Sequence, residues 1–147
     1  MICAMPRNAR PRKAYRPRPV GRPVMDSMRR DLILPCYAAL EVLRAGRDGC
    51  KAAADTLAGL ANWYAQLLAA DGRDTGPALA AMSALTDMQA RAARLGAWRC
   101  SGPELAALRD LVTDADNTLT LFQSHKLTAA LATVYAAMGR IESQETA

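Results

Sequence analysis

The sequence predicts an all-α protein, an up-and-down bundle of four to five helices preceded by an extended basic arm. Three observations carry that expectation. Leucine, alanine and methionine dominate the apolar residues while aromatics make up only 5%, a bias toward straight-chain helix formers and away from the residues that strands favour. Beyond about residue 31 the apolar positions recur at three- and four-residue spacing. Five of the eight prolines (Pro6, Pro11, Pro17, Pro19, Pro23) fall within the first thirty residues, where each removes an amide donor and clashes with the preceding turn, so no long helix is expected there.

Charge divides the chain at the same place. Met1 to Arg30 holds nine Lys and Arg (Arg7, Arg10, Arg12, Lys13, Arg16, Arg18, Arg22, Arg29, Arg30) against Asp26 alone, a net of +8, whereas Asp31 to Ala147 holds ten basic and thirteen acidic residues, a net of −3. The expected organisation is a Pro/Arg-rich arm over 1–30 that is disordered, a helical bundle over 31–142 and a polar tail over 143–147. About 117 residues then remain for a single core, enough for one domain.

The first helix reads as Leu32 to Arg44, with Pro35 in its first turn and Gly46 and Gly49 after its end. From about Asp48 or Gly49 to Ala70, Leu57, Leu60, Trp63 or Tyr64, Leu67 and Leu68 form one stripe, and Asp71-Gly72-Arg73-Asp74 is a turn. Thr75 reads as the N-cap of a third helix with Pro77 just inside, followed by Leu79, Met82, Leu85, Met88, Ala92 and Leu95 up to Gly96, with a small-residue face suited to close packing. Ser101-Gly102-Pro103-Glu104 is a capping box: Ser101 accepts the Glu104 amide while the Glu104 carboxylate reaches back. Leu105, Leu108, Val112, Ala115, Leu119 and Phe122 then form a regular seam. After Phe122 the apolar set resumes out of phase as Leu127, Leu131, Val134, Met138 and Ile141, so a break or kink falls at Gln123 to Lys126, and Gly139 and the polar Ser143 to Thr146 end the order. There are no repeats.

Few features suggest chemistry. The cysteines Cys3, Cys36, Cys50 and Cys100 form no CxxC pair and His125 is the only histidine, so zinc-ligand spacing is absent and free, reduced thiols in a cytosolic setting are expected. No secretory h-region opens the chain, and the stretch Ala52 to Ala70 is interrupted by Asp55, Asn62 and Gln66, so neither export by that route nor a membrane span is expected. Ser124-His125 pairs a nucleophile with a base, but neighbouring residues point apart and no glycine elbow surrounds them; Ser124 reads better as the cap of the last helix, with His125 in solvent. Asp110, Asp114 and Asp116 are the densest acidic cluster, the first two spaced for one helix face. They read as a solvated face, or one that the basic arm or a basic partner covers, rather than a cation site, since no Glu-x-x-His accompanies them. Cys100 stands just before a helix beside Arg99, which could lower its pKa, though a structural cysteine fits better. No phosphate-cradling loop occurs, and no helix carries the exposed Arg, Lys, Gln and Asn run of a recognition helix. No catalytic residue, metal or cofactor is assigned.

The arm has fewer alternatives. Lys13-Ala14-Tyr15-Arg16-Pro17-Arg18-Pro19-Val20 presents guanidinium groups at every other residue of a polyproline-like strand, with Tyr15 available to stack. Arginine grips phosphates bidentately, so such a strand can follow a nucleic-acid backbone without reading sequence. The binding residues so identified are Arg10, Arg12, Lys13, Tyr15, Arg16, Arg18 and Arg22, with Tyr15, Arg16 and Arg18 foremost. The arm could instead enter a protein partner's acidic groove, cross its own acidic helices, or serve as a solubilising tail. A protein–protein inhibitor acting through a bundle face is the alternative function, and the chain is expected to be a monomer or a homodimer.

The basic stretch over residues 13 to 19, with a K-x-Y-R-P-x-P-like pattern, and the helix start Gly102-Pro103-Glu104 resemble a group of small helical proteins encoded by proteobacterial phages, prophages and plasmids. The resemblance implies an accessory protein of a mobile element that acts on host machinery or an immune system by occupying a surface. It brings no catalytic residues. Where that group often carries histidine and glutamine in its last long helix, this chain has Asp114-Ala115-Asp116-Asn117.

Overall fold

The computed structural model describes residues 21–146, and they form five helices: α1 (Asp26–Ala45), α2 (Cys50–Ala70), α3 (Gly76–Leu95), α4 (Gly102–Thr118) and α5 (Ser124–Glu145). A 3₁₀ turn, Leu119–Leu121, separates α4 from α5; the break expected at Gln123 to Lys126 thus falls earlier in the chain, and Ser124 to Lys126 already belong to α5. The arm residues before Gly21 lie outside the described residues.

Short turns make successive helices antiparallel, and α1 to α4 close a ring in which each packs on the next and α4 returns to α1, with α2 and α4 also touching across the middle. Leu57, Tyr64, Leu67, Leu108, Val112 and Ala115 fill that middle and are inaccessible to solvent. The last helix, α5, lies outside the ring and approaches only α2 among the other helices. It runs antiparallel to α2, with Lys126 bonded to Asp71 at the end of α2 and Met138 near Asp55 toward its start.

Several elements differ from the sequence expectation, each for a local reason. Helix α1 begins at Asp26 rather than Leu32, because Asp26 in its first turn pairs with Arg29 and Arg30 at helical spacing. Pro35 therefore lies inside α1. It is tolerated on the solvent side, where both it and Asp31, whose carbonyl loses its amide partner, are exposed to water. In α3 the core face is the small one, Ala78, Ala81 and Ala84 with Leu85, Met88 and Ala92, while Leu79 and Leu95 point outward at 55% and 65% exposure. Thr75 is the N-cap by position but makes no side-chain capping bond; Asp74 Oδ1 accepts the Gly76 amide at 2.9 Å instead. Helix α5 opens with Ser124 as its first residue and Gln123 at the N-cap position, without a capping side chain, and it continues through Gly139 to Glu145. The capping box of α4 is complete. No described helix is long and apolar enough to cross a membrane.

Candidate functional site

The root of the arm is built into the body. Pro23 and Gln123 form an isolated antiparallel bridge. The Val24 amide donates to the Phe122 carbonyl at 3.0 Å, and the Ser124 amide donates to the Arg22 carbonyl at 2.7 Å. Pro23 suits this place, since its missing amide leaves no donor unpaired. Val24 is 3% exposed and belongs to the core cluster, so the chain is fixed at the junction of α4 and α5 and its arm starts from one point.

The junction is held from several sides. Tyr64 of α2 packs edge-on against Trp63 and Phe122, with centroids 6.1 and 6.4 Å apart. The Arg73 guanidinium lies 4.8 Å from the Phe122 ring centre. Asp71 accepts from Arg73 Nε and Lys126 Nζ, each at 2.8 Å. Those bonds, that from Lys126 foremost, hold the Asp71 carboxyl below its ordinary range.

Of the residues assigned to binding, Arg10, Arg12, Lys13, Tyr15, Arg16 and Arg18 lie outside the described residues. Arg22 is exposed and, among the described residues, in no ion pair. Arg29 and Arg30 are engaged in the body: Arg29 bonds Asp26 and Asp116, and Arg30 pairs with Asp26 at 2.9 Å. From Arg7 to Arg22 the sequence holds seven cations, Arg7, Arg10, Arg12, Lys13, Arg16, Arg18 and Arg22, and no acid.

The acidic cluster is divided between structural partners. Asp116 accepts from Arg29 and, at 2.9 Å, from the Tyr37 hydroxyl. Asp114 accepts from the buried Tyr64 hydroxyl at 2.5 Å, and Thr118 closes the group at 2.7 Å. Burial, with the Asp114 carboxylate beside it, raises the Tyr64 pKa. Asp110 faces solvent. Among the described residues no group of three His, Cys, Asp or Glu side chains converges as a metal site would require. Asp114 and Asp116 are therefore ties from α4 to α2 and α1: Arg29, from the basic first thirty residues, covers Asp116, whereas the tyrosine partners are not legible in the sequence because they lie far away in the chain.

The remaining candidates are likewise accounted for by packing. His125 is exposed, and Ser124 does not cap α5. Burial pushes the Cys100 thiol up to about 11, with the Glu104 carboxylate adding to the effect, the opposite of activation by Arg99 or a helix start. Burial alone does the same for Cys36.

No family model matches the chain, and neither a curated protein nor a solved structure matches it significantly.

Proposed function

We propose that this is a non-enzymatic helical binding protein, an accessory or host-directed regulator carried by a phage or plasmid, whose arm engages nucleic-acid backbone without sequence readout. The observation that carries the reading is the run of seven cations without an acid from Arg7 to Arg22, on a chain whose root is fixed at Val24. Arg29 and Arg30 satisfy acids of the body, so the charge offered to a partner lies on the arm itself. The cytoplasm of the bacterial host is the compartment this function requires.

The test is fluorescence anisotropy with labelled duplexes of unrelated sequence, comparing the full chain with one lacking residues 1–20. Binding of equal strength to each duplex is expected, with log K falling against log salt at a slope of up to about −6 if all seven cations meet phosphates. Deleting 1–20 removes the binding while the circular dichroism stays helical. Undiminished affinity in the shortened chain overturns the reading.

A further inference from the structure

We propose that the cavity beside the turn joining α2 to α3 binds a small zwitterion, a molecule carrying one ammonium and one carboxylate group. The cavity, of about 330 Å³, lies between that turn and the last turn of α4. Its volume is within the range of small-molecule sites. Buried Tyr64 and Leu68 form its floor, and Arg73, Asp74 and Asp114 stand around it.

What selects the ligand is that opposite charges line one space without meeting. Among the described residues Arg73 pairs only with Asp71, through Nε, and closes no ion pair with Asp74 or Asp114. Each of the three is held by a contact of its own. The Arg73 guanidinium is kept by Asp71 and the Phe122 ring, and Asp74 Oδ1 by the Gly76 amide. Asp114 Oδ2 is kept by the buried Tyr64 hydroxyl, which Thr118 braces at 2.7 Å. Those contacts leave Nη1 and Nη2 of Arg73, Oδ2 of Asp74 and Oδ1 of Asp114 with no protein partner among the described residues.

A guanidinium fork is matched to a carboxylate, which it grips with two parallel bonds. The remaining carboxylate oxygens accept from an ammonium, whose three hydrogens can serve both acids. One molecule with both groups satisfies the two signs together and, being neutral overall, brings no uncompensated charge into the cavity. A ligand with only one charge leaves the opposite group unmatched. A metal ion is poorly served, since two carboxylates alone line the cavity and Arg73 stands among them. The site uses no residue of the arm, so its test is made without nucleic acid and is independent of the function proposed above.

The experiment follows the isotope-labelled full chain by nuclear magnetic resonance during titration with glycine, β-alanine and γ-aminobutyrate, which space the two charges differently. Each is taken to about 20 mM, since a ligand of this size is expected to bind with Kd on the order of 1 mM. Propylamine and propionate carry one charge each and serve as controls. At least one zwitterion is expected to shift the backbone amides of Arg73, Asp74 and Thr118 and the Arg73 Nε resonance to saturation, with both controls about tenfold weaker. Asp74→Asn keeps an oxygen for the Gly76 amide and Arg73→Lys keeps the charge beside Asp71, so the helical circular dichroism of both stays unchanged. Each variant weakens the zwitterion by about fivefold to tenfold. No saturable shift from any of the zwitterions overturns the proposal. So does a control that binds as tightly, or binding that both variants leave unaltered.

Discussion

Replacing Glu104 by glutamine separates two tasks that one carboxylate performs at the start of α4. Its Oε2 accepts the Ser101 amide at 2.8 Å, and its oxygens take Arg91 Nη2 at 2.6 Å and Nη1 at 3.0 Å. Glutamine keeps an acceptor for the cap but offers Arg91 no charge. Glu104 is 8% exposed and the Arg91 side chain 28%, so the pair is better shielded than a surface ion pair worth about 0–1 kcal/mol. The bonds from Arg91 are the main cause that holds the carboxyl at about 2 against an ordinary 4.5. At about 1.4 kcal/mol for each tenfold change in proton affinity, this amounts to about 3 kcal/mol at neutral pH, and solvent around Arg91 reduces it to about 2 kcal/mol. Because the folded pKa lies below the unfolded one, the contribution is complete above pH 4.5 and disappears as the pH falls toward 2. Urea unfolding followed by circular dichroism measures it. Glu104→Gln is expected to be about 2 kcal/mol less stable at neutral pH, and the gap to the native protein narrows in acid. Glu104→Ala loses about 1 kcal/mol more with the cap. A glutamine variant within about 0.5 kcal/mol of the native protein at neutral pH, or a gap that acid leaves unchanged, refutes the reasoning.

Tyr64→Phe removes the hydroxyl that serves Asp114 and Thr118 and leaves two half-buried polar groups short of a partner, a loss of about 1–3 kcal/mol seen as a lower melting temperature; equal melting would show that water replaces the hydroxyl. Val24→Ala removes packing at a site 3% exposed, and about 1–2 kcal/mol is expected to go with it. By calorimetry a chain beginning at Gly21 should melt at or just below the full chain and one beginning at Met25 lower still; coincident melting of these two shortened chains would mean that the pairing of Arg22 and Val24 with the α4–α5 junction contributes nothing.

How much of this fold is legible in the sequence depends on how far apart the partners lie. The capping box of α4 is legible because Ser101 and Glu104 are three residues apart, and the seam from Leu108 to Phe122 because period alone determines it. The onset of α1 is not legible from apolar spacing, since charges at Asp26, Arg29 and Arg30 set it. In α3 the large residues mislead: Leu79 and Leu95 look like core, but alanines admit a close helix, and the close neighbours take that face. The acidic cluster is visible as composition while its meaning is not, because Tyr64, Tyr37 and Arg29 lie 50, 79 and 87 residues from the aspartates they bind. The arm's charge is legible at once. Its root is not, and Val24 following Pro23 is the only local sign that the chain becomes buried there.

A fixed root changes what the charge can do. A tail joined loosely to a body spreads its cations over a wide volume, whereas one that starts at Val24, against Phe122, delivers Arg22 at one place and every later cation within a set distance of it. A polyproline chain advances about 3.1 Å per residue, so if the arm binds in that extended form, as the proposed function requires, alternate arginines would stand about 6 Å apart. Phosphates recur alike along any base sequence, so under the function proposed above such an arm would respond to charge and shape but not to bases.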